Sequence, residues 1–196
     1  MTNDTQQINF AVSGAFTPDD IYTLAGLSDL GVLGGESQFS ADLSIDMRGG
    51  ISALAVDTDL LGMAVNLPGE LGKTDNLLSP SRFDLQFLDG YQSLQWRYQN
   101  TQGWVHLDDR VLRGSIGLSA APAVIQADQD WVSIGGNMVE IDVAAWSQLA
   151  VGSGQYAVDW QIDNLLVGAL VVGDLIFDDL VLAGRRHVGE WHRNPE

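Results

Sequence analysis

The sequence predicts an all-β fold: a mainly antiparallel, curved sheet or β-groove built from hairpins, with two short α-helices packed on it. Three observations carry this expectation. Apolar residues recur at every second position, as in Phe39, Ala41, Leu43, Ile45 and Met47 with Ser40, Asp42, Ser44 and Asp46 between them. That period belongs to a strand with one dry and one wet face. The alternating runs are short and end at Gly, Asn, Asp or Ser, and the chain holds 22 glycines, mostly where turns are expected. Only two stretches carry helix signals, and each is two to three turns long, too short to stand without tertiary packing.

The first helix is expected near 18–25. Thr17 can cap it, Pro18 suits the first helical position, and Asp19 and Asp20 favour the positive end of the dipole. Strands follow over 39–47, then on even positions through Leu54 and Val56, with Arg48-Gly49-Gly50 as the turn between them. Leu61, Met63, Val65 and Leu67 alternate on odd positions, and this change of parity near Leu60 calls for a bulge or a turn. Gly72 to Ser81 reads as a linker. Further alternating runs are Phe83-Leu85-Phe87, Leu94-Trp96-Tyr98, Leu112 to Leu118, and Tyr156-Val158-Trp160-Ile162. The second helix is expected near 143–151, capped by Asp142 and ended by Gly152 and Gly154. The stretches 42–56 and 159–172 echo one another, and both read as strand, turn, strand.

Composition narrows the function. Hydrophobic residues make up 45 % of the 196 residues and charged ones 18 %, which excludes a disordered chain. Nine basic against 26 acidic residues give a net charge of −17. That balance argues against nucleic acid and against charge-driven binding to anionic lipid surfaces. With no cysteine, disulfides, thiolate metal sites and a cysteine nucleophile are excluded. The first ten residues lack the pattern of a signal peptide. The most apolar run, Leu165 to Phe177, spans 13 residues and contains Asp174, whereas about 20 are needed to cross a bilayer as a helix. A role outside the cytoplasm would put the targeting signal on a longer parent chain.

Catalytic motifs are absent: the sequence has no GxSxG, HExxH, Walker or GxGxxG pattern. His187 and His192 flank Glu190 but lack further ligands at metal-site spacing, and His106 stands alone in a strand-like run. No metal and no cofactor are expected. Asp57 with Asp59, and Asp128 with Asp130, could share a strand face, and solvated turns are the plainer reading. An acidic glycan hydrolase would need such carboxylates across a cleft at roughly 5–9.5 Å. A carbohydrate-binding module would expose at least two of the six tryptophans on one face.

One stretch is similar to a known family. Asp59-Leu60-Leu61-Gly62-Met63-Ala64-Val65-Asn66-Leu67-Pro68-Gly69-Glu70-Leu71-Gly72-Lys73 resembles the strand and LPxPLGK segment of the YhdP family of large AsmA-like envelope proteins. Ile134-Gly135-Gly136 followed by Ile141 to Trp146, Val158 to Leu165, and Phe177 to Ala183 followed by Trp191 agree in order and spacing. The resemblance implies that residues 1–196 are one fragment of a longer β-rich periplasmic rod, anchored in the inner membrane of a Gram-negative bacterium. It implies a non-enzymatic role in phospholipid transport to the outer membrane, with acyl chains and the other segments of the parent as partners. Candidates for the groove are Phe83, Leu85, Phe87, Leu94, Trp96, Val158, Trp160, Leu170 and Val172. Core packing is the competing role for each of them, and a scaffold with a filled core is the rival function. A sheet cut from a longer one has free edges, which predicts edge-strand association of the fragment with itself.

Overall fold

In the computed structural model, which describes residues 7–25, 31–46, 50–107, 112–122, 130–149 and 159–186, the chain runs in the following order. It passes through β1 (Gln7–Phe16), α1 (Pro18–Ala25), β2 (Leu33–Gly35), β3 (Ser37–Asp46), β4 (Gly50–Thr58), β5 (Met63–Val65) and a 3-10 turn (Gly69–Leu71). It continues through β6 (Ser81–Leu88), β7 (Tyr91–Tyr98), β8 (Thr101–Leu107), β9 (Leu112–Leu118) and β10 (Val132–Asp142) to α2 (Val143–Leu149), β11 (Trp160–Val172) and β12 (Leu175–Arg186). Ten strands form one curved, unclosed sheet in the order β1-β3-β4-β6-β7-β8-β9-β10-β11-β12, and β2 pairs with β5 in a small second sheet.

Both helices are short and locally capped. The Thr17 backbone N–H and hydroxyl both donate to Asp20 Oδ2, at 2.8 and 2.7 Å. This is one half of a capping box, with an aspartate in the usual glutamate place. These two bonds, the backbone one first, hold the Asp20 carboxyl below its ordinary pKa. At the second helix, Asp142 Oδ1 accepts from the N–H groups of Ala144 and Ala145. Residues 150 and 151, the expected end of that helix, lie outside the described residues, as do Met47, Arg48 and Gly49 of the expected turn.

The sheet is mixed rather than wholly antiparallel. From β1 to β9 every pairing is antiparallel, but β10 runs parallel to both β9 and β11. The cause is connection length: the links from β9 to β10 and from β10 to β11 are long enough for a crossover, and α2 lies in the second. The first link turns back over the sheet at Ser119–Pro122. The Cβ that Gly117 lacks would collide with the backbone of Ala120, and Gln102 Nε2 donates to the Ala120 carbonyl at 3.1 Å. The echo between 42–56 and 159–172 also resolves differently at its two places. The first is the β3–β4 hairpin, whereas the second is one long strand, β11. The Asp163-Asn164 turn signal there becomes a β-bulge, with Asn164 at φ 48°.

Candidate functional site

Strand register sorts the side chains onto two faces, because residues directly opposite one another point the same way. One row across the sheet reads Val12, Ala41, Val56, Phe83, Trp96, Gly103, Ile116, Ile134 and Ile162. The next row on the same face reads Phe10, Leu43, Leu54, Leu85, Leu94, Val105, Gly114, Val132 and Trp160. The intervening row, on the other face, is Ala11, Asp42, Ala55, Asp84, Gln95, Trp104, Ser115, Ser133, Gln161 and Arg185. One face is therefore apolar from β1 to β11, where its two rows meet Gly184 and Arg186 on the edge strand β12, and the other is mainly polar. No second large sheet covers the apolar face among the described residues. Phe83, Leu85, Phe87, Leu94 and Trp96 stay half-buried there.

The floor of this face has a shape. Trp96 lies over Gly103 on the neighbouring strand, where the indole occupies the space that a Cβ would need. A side chain at position 103 would lift the ring off the sheet.

One end of the face is closed. β4 leaves the large sheet at Leu60, whose φ is 53°, and enters β5. This is the turn that the parity change called for. Residues 60–80 then fold back as a cap. Met63, Val65 and Leu60 are buried in it, and Val65 and Lys73 exchange two backbone hydrogen bonds at 2.9 Å. The Lys73 side chain is buried and donates to the carbonyls of Leu60, at 2.7 Å, and Met63. Burial pushes its pKa down, while Asp75 and Asp59 pull it back up. Gly72 is required by close approach, since a Cβ there would collide with the Leu67 carbonyl.

The cap is tied to the sheet at several points. Tyr98 Oη donates to the Leu71 carbonyl at 2.9 Å, and Glu70 Oε1 accepts from the Val139 N–H at 3.1 Å. Leu71 packs on the buried cluster of Leu118, Met138, Leu165 and Val167. The stretch 60–73, which reads in sequence as strand and linker, is thus the stopper at one end of an apolar face.

The nine groove candidates separate. Phe83, Leu85, Phe87, Leu94, Trp96 and Trp160 share the apolar face, and Val158 lies outside the described residues. Leu170 and Val172 do not join Trp160, because the bulge at Asp163–Asn164 reverses the parity of β11 beyond it. Leu165 and Val167 take the inward positions instead, with Val167 only 1 % exposed. Leu170 packs beside the buried cluster together with Ile141 and Trp146, and Val172 is exposed near the β11–β12 turn. Phe10, Leu43, Leu54, Val56, Val105, Ile116 and Ile134 belong to the face and were missed. Their signal was the same period-two alternation, which does not say which strands are neighbours.

The polar groups have local work. Asp57 pairs with Arg82 at 2.8 Å, and Arg82 also pairs with Asp84 at 2.9 Å. Asp59 lies beyond the end of β4, and its Oδ1 accepts from the Leu61 N–H at 2.9 Å. The two carboxylates therefore do not face one another along a strand. Asp128 lies outside the described residues. His106 packs at a tilt against the rings of Tyr91 and Trp104, with centroids 5.2 and 5.1 Å away. Burial first, and Arg113 second, hold its pKa down. His187 and His192 lie outside the described residues. None of the five described tryptophans is exposed: Trp104 is buried, and Trp131 stacks with Arg185 at 4.8 Å. Among the described residues no helix is long and apolar enough to cross a membrane, which says nothing of strands.

Comparison with protein-family models, curated proteins and solved structures returns no match. What fold and site define among the described residues is one large β-sheet with an apolar face that is capped at one end.

Proposed function

We propose that this chain is a non-enzymatic segment of an AsmA-like envelope protein, anchored in the inner membrane by its parent. In this reading its apolar face forms a periplasmic groove for phospholipid acyl chains passing between inner and outer membranes. The observation that carries the reading is the apolar face itself, continuous from β1 to β11 and, among the described residues, without a second large sheet above it. A protein of this size ordinarily buries such a surface, and a large uncovered one marks a binding site. An acyl chain needs a dry surface and no particular atoms, and gains about 0.8 kcal/mol per buried methylene. The headgroup would stay in water, so the shortage of basic residues is no obstacle. The cap adds direction: a chain lying along the strands would end at Leu71 and Tyr98 and enter from the side of Phe87. The resemblance of residues 59–73 to the LPxPLGK segment supplies the family context.

The test is native mass spectrometry of the purified chain with lipid extraction, comparing wild type with Leu85→Asp and Trp160→Asp. The expected result is co-purified phospholipid that both substitutions remove, with circular dichroism unchanged. A monomeric wild type that carries no lipid and takes up none from vesicles would sink the proposal in favour of a structural scaffold.

A further inference from the structure

The polar face carries a pair of arginines that neither the cap nor the groove uses. Ser40, Asp57, Arg82 and Arg97 stand opposite one another on β3, β4, β6 and β7, in one row of that face. Arg82 is held from two directions. Its Nε donates to Asp84 Oδ2 at 3.0 Å and its Nη2 to Asp84 Oδ1 at 2.9 Å, while its Nη1 donates to Asp57 Oδ2 at 2.8 Å. A guanidinium has five N–H groups, so one on each Nη stays unspent. Arg97 is exposed, and among the described residues no carboxylate pairs with it. Its neighbours on the same face are Gln95 and Gln99 along β7 and Gln102 across on β8, all uncharged. Like charges directly opposite on neighbouring strands repel, yet this chain, with 26 acidic residues, sets two arginines there. Both line an open hollow of about 700 Å³, together with Gln38, Ser40, Asp57 and Asp59. Neither carboxylate of the hollow is without a partner: Asp57 accepts from Arg82 and Asp59 from the Leu61 N–H.

We propose that this hollow binds one phosphate group, held between Arg97 and the unspent N–H groups of Arg82. Chemistry selects the group. The fork of one guanidinium takes up both oxygens of a planar carboxylate. A phosphate has a further oxygen to offer a second guanidinium, so an adjacent pair suits it better. Charge limits what carries the phosphate. A body at −17 repels a polyanion over its whole surface, and two arginines do not offset that. A single phosphate ester asks no more than the pair supplies. Asp57 and Asp84 fix Arg82 before the ligand arrives, which lowers the cost of ordering it on binding. The hollow lies on the opposite side of the sheet from the apolar face, so it does not depend on whether that face carries lipid.

An NMR titration of the isotope-labelled chain with inorganic phosphate, at constant ionic strength, tests it. The expected result is a saturable shift of the Arg97 Nε–H and of the β6 and β7 amides around it, with a dissociation constant on the order of 1 mM. Acetate should bind about fivefold more weakly. Arg97→Gln should weaken phosphate binding about tenfold. Arg97→Lys keeps the charge and loses the fork, and should weaken it about threefold. Arg186→Gln, on β12, makes the same change in net charge away from the hollow and should leave binding unchanged. If Arg97→Gln proves unfolded by circular dichroism, Arg97→Lys carries the same test. Glycerol phosphate and vesicles of phosphatidylglycerol separate the possible sources of the group. The ester is expected to bind as phosphate does and the vesicles to leave the chain in solution, which assigns the phosphate to a small soluble ester. Sedimentation with vesicles that Arg97→Gln removes would keep the phosphate and assign it to a lipid headgroup. No saturable shift, acetate bound as tightly as phosphate, or equal weakening by Arg186→Gln would each overturn the proposal.

Discussion

The capped end and the open stretch of the apolar face use the same residue types and differ in what lies above them. At the capped end, residues 60–80 return over the sheet, so Met63 is 1 % exposed and Lys73 is buried against two carbonyls. Away from Tyr98, no described segment returns over β6 and β7, and Phe83, Leu85 and Leu94 are left half-buried. Stability should therefore be concentrated at the cap, and the open stretch should tolerate change. That is the division expected of a binding surface held by a rigid frame.

Deleting equivalent apolar side chains in the two regions gives the largest contrast. Met63→Ala should cost about 3 kcal/mol, since the removed atoms leave a cavity in a closed environment. Leu85→Ala should cost about 1 kcal/mol, because that side chain gives up only part of its contact with water on folding. Urea unfolding of both variants measures the difference. Equal costs would mean that the open face is covered in solution, and would count against a free groove.

The next contrast is polar. Lys73→Met keeps the length of the side chain but removes the donors to the Leu60 and Met63 carbonyls. Leaving those acceptors unpaired should cost about 2 kcal/mol, partly offset by no longer burying a cation. The same unfolding experiment reads it, and limited proteolysis should cut first within residues 60–80. Arg82→Met, on the exposed polar face, is the control and should change little, because its ion pairs are exposed to water.

Much of this division was legible in the sequence, and its limits are physical. Period two identified β3, β4, β6, β7 and β9, and capping chemistry located both helices, because these signals are local. β10 was not read as a strand, since Gly135-Gly136-Asn137 breaks its alternation. Its parallel pairing depends on crossovers that no local pattern encodes. The bulge at Asp163–Asn164 read as a turn because the same residues serve both, and only pairing against Gly135 and Gly136 decides between them. Hence Leu170 and Val172 were grouped with Trp160, while Leu165 and Val167 hold the inward places. Lys73 was legible as part of a motif, but its burial follows from a fold-back that alternation cannot foresee.

The smallest contrast lies where cap and sheet meet, and it depends on pH. Tyr98 donates its hydroxyl proton to the Leu71 carbonyl, and burial, opposed by a hydrogen bond from Gln99, pushes its pKa up to about 12. A group whose folded pKa lies above its unfolded value of about 10 contributes stability that is complete below about pH 10. That contribution is lost as pH rises through about 12. Tyr98→Phe should remove about 1 kcal/mol at neutral pH and flatten this alkaline fall. Lys73 acts with the opposite sign. Its pKa is lowered on folding, so the cost of burying its cation is relieved as pH rises towards its unfolded value of about 10.5. Unfolding midpoints of wild type, Tyr98→Phe and Lys73→Met, measured at neutral pH and between about pH 10 and 12, separate the two. If the wild type and Tyr98→Phe decline in parallel over that range, the tie to Leu71 does not hold the cap. The closed end of the face would then rest on the packing of Leu71 and on the bond between Glu70 and Val139.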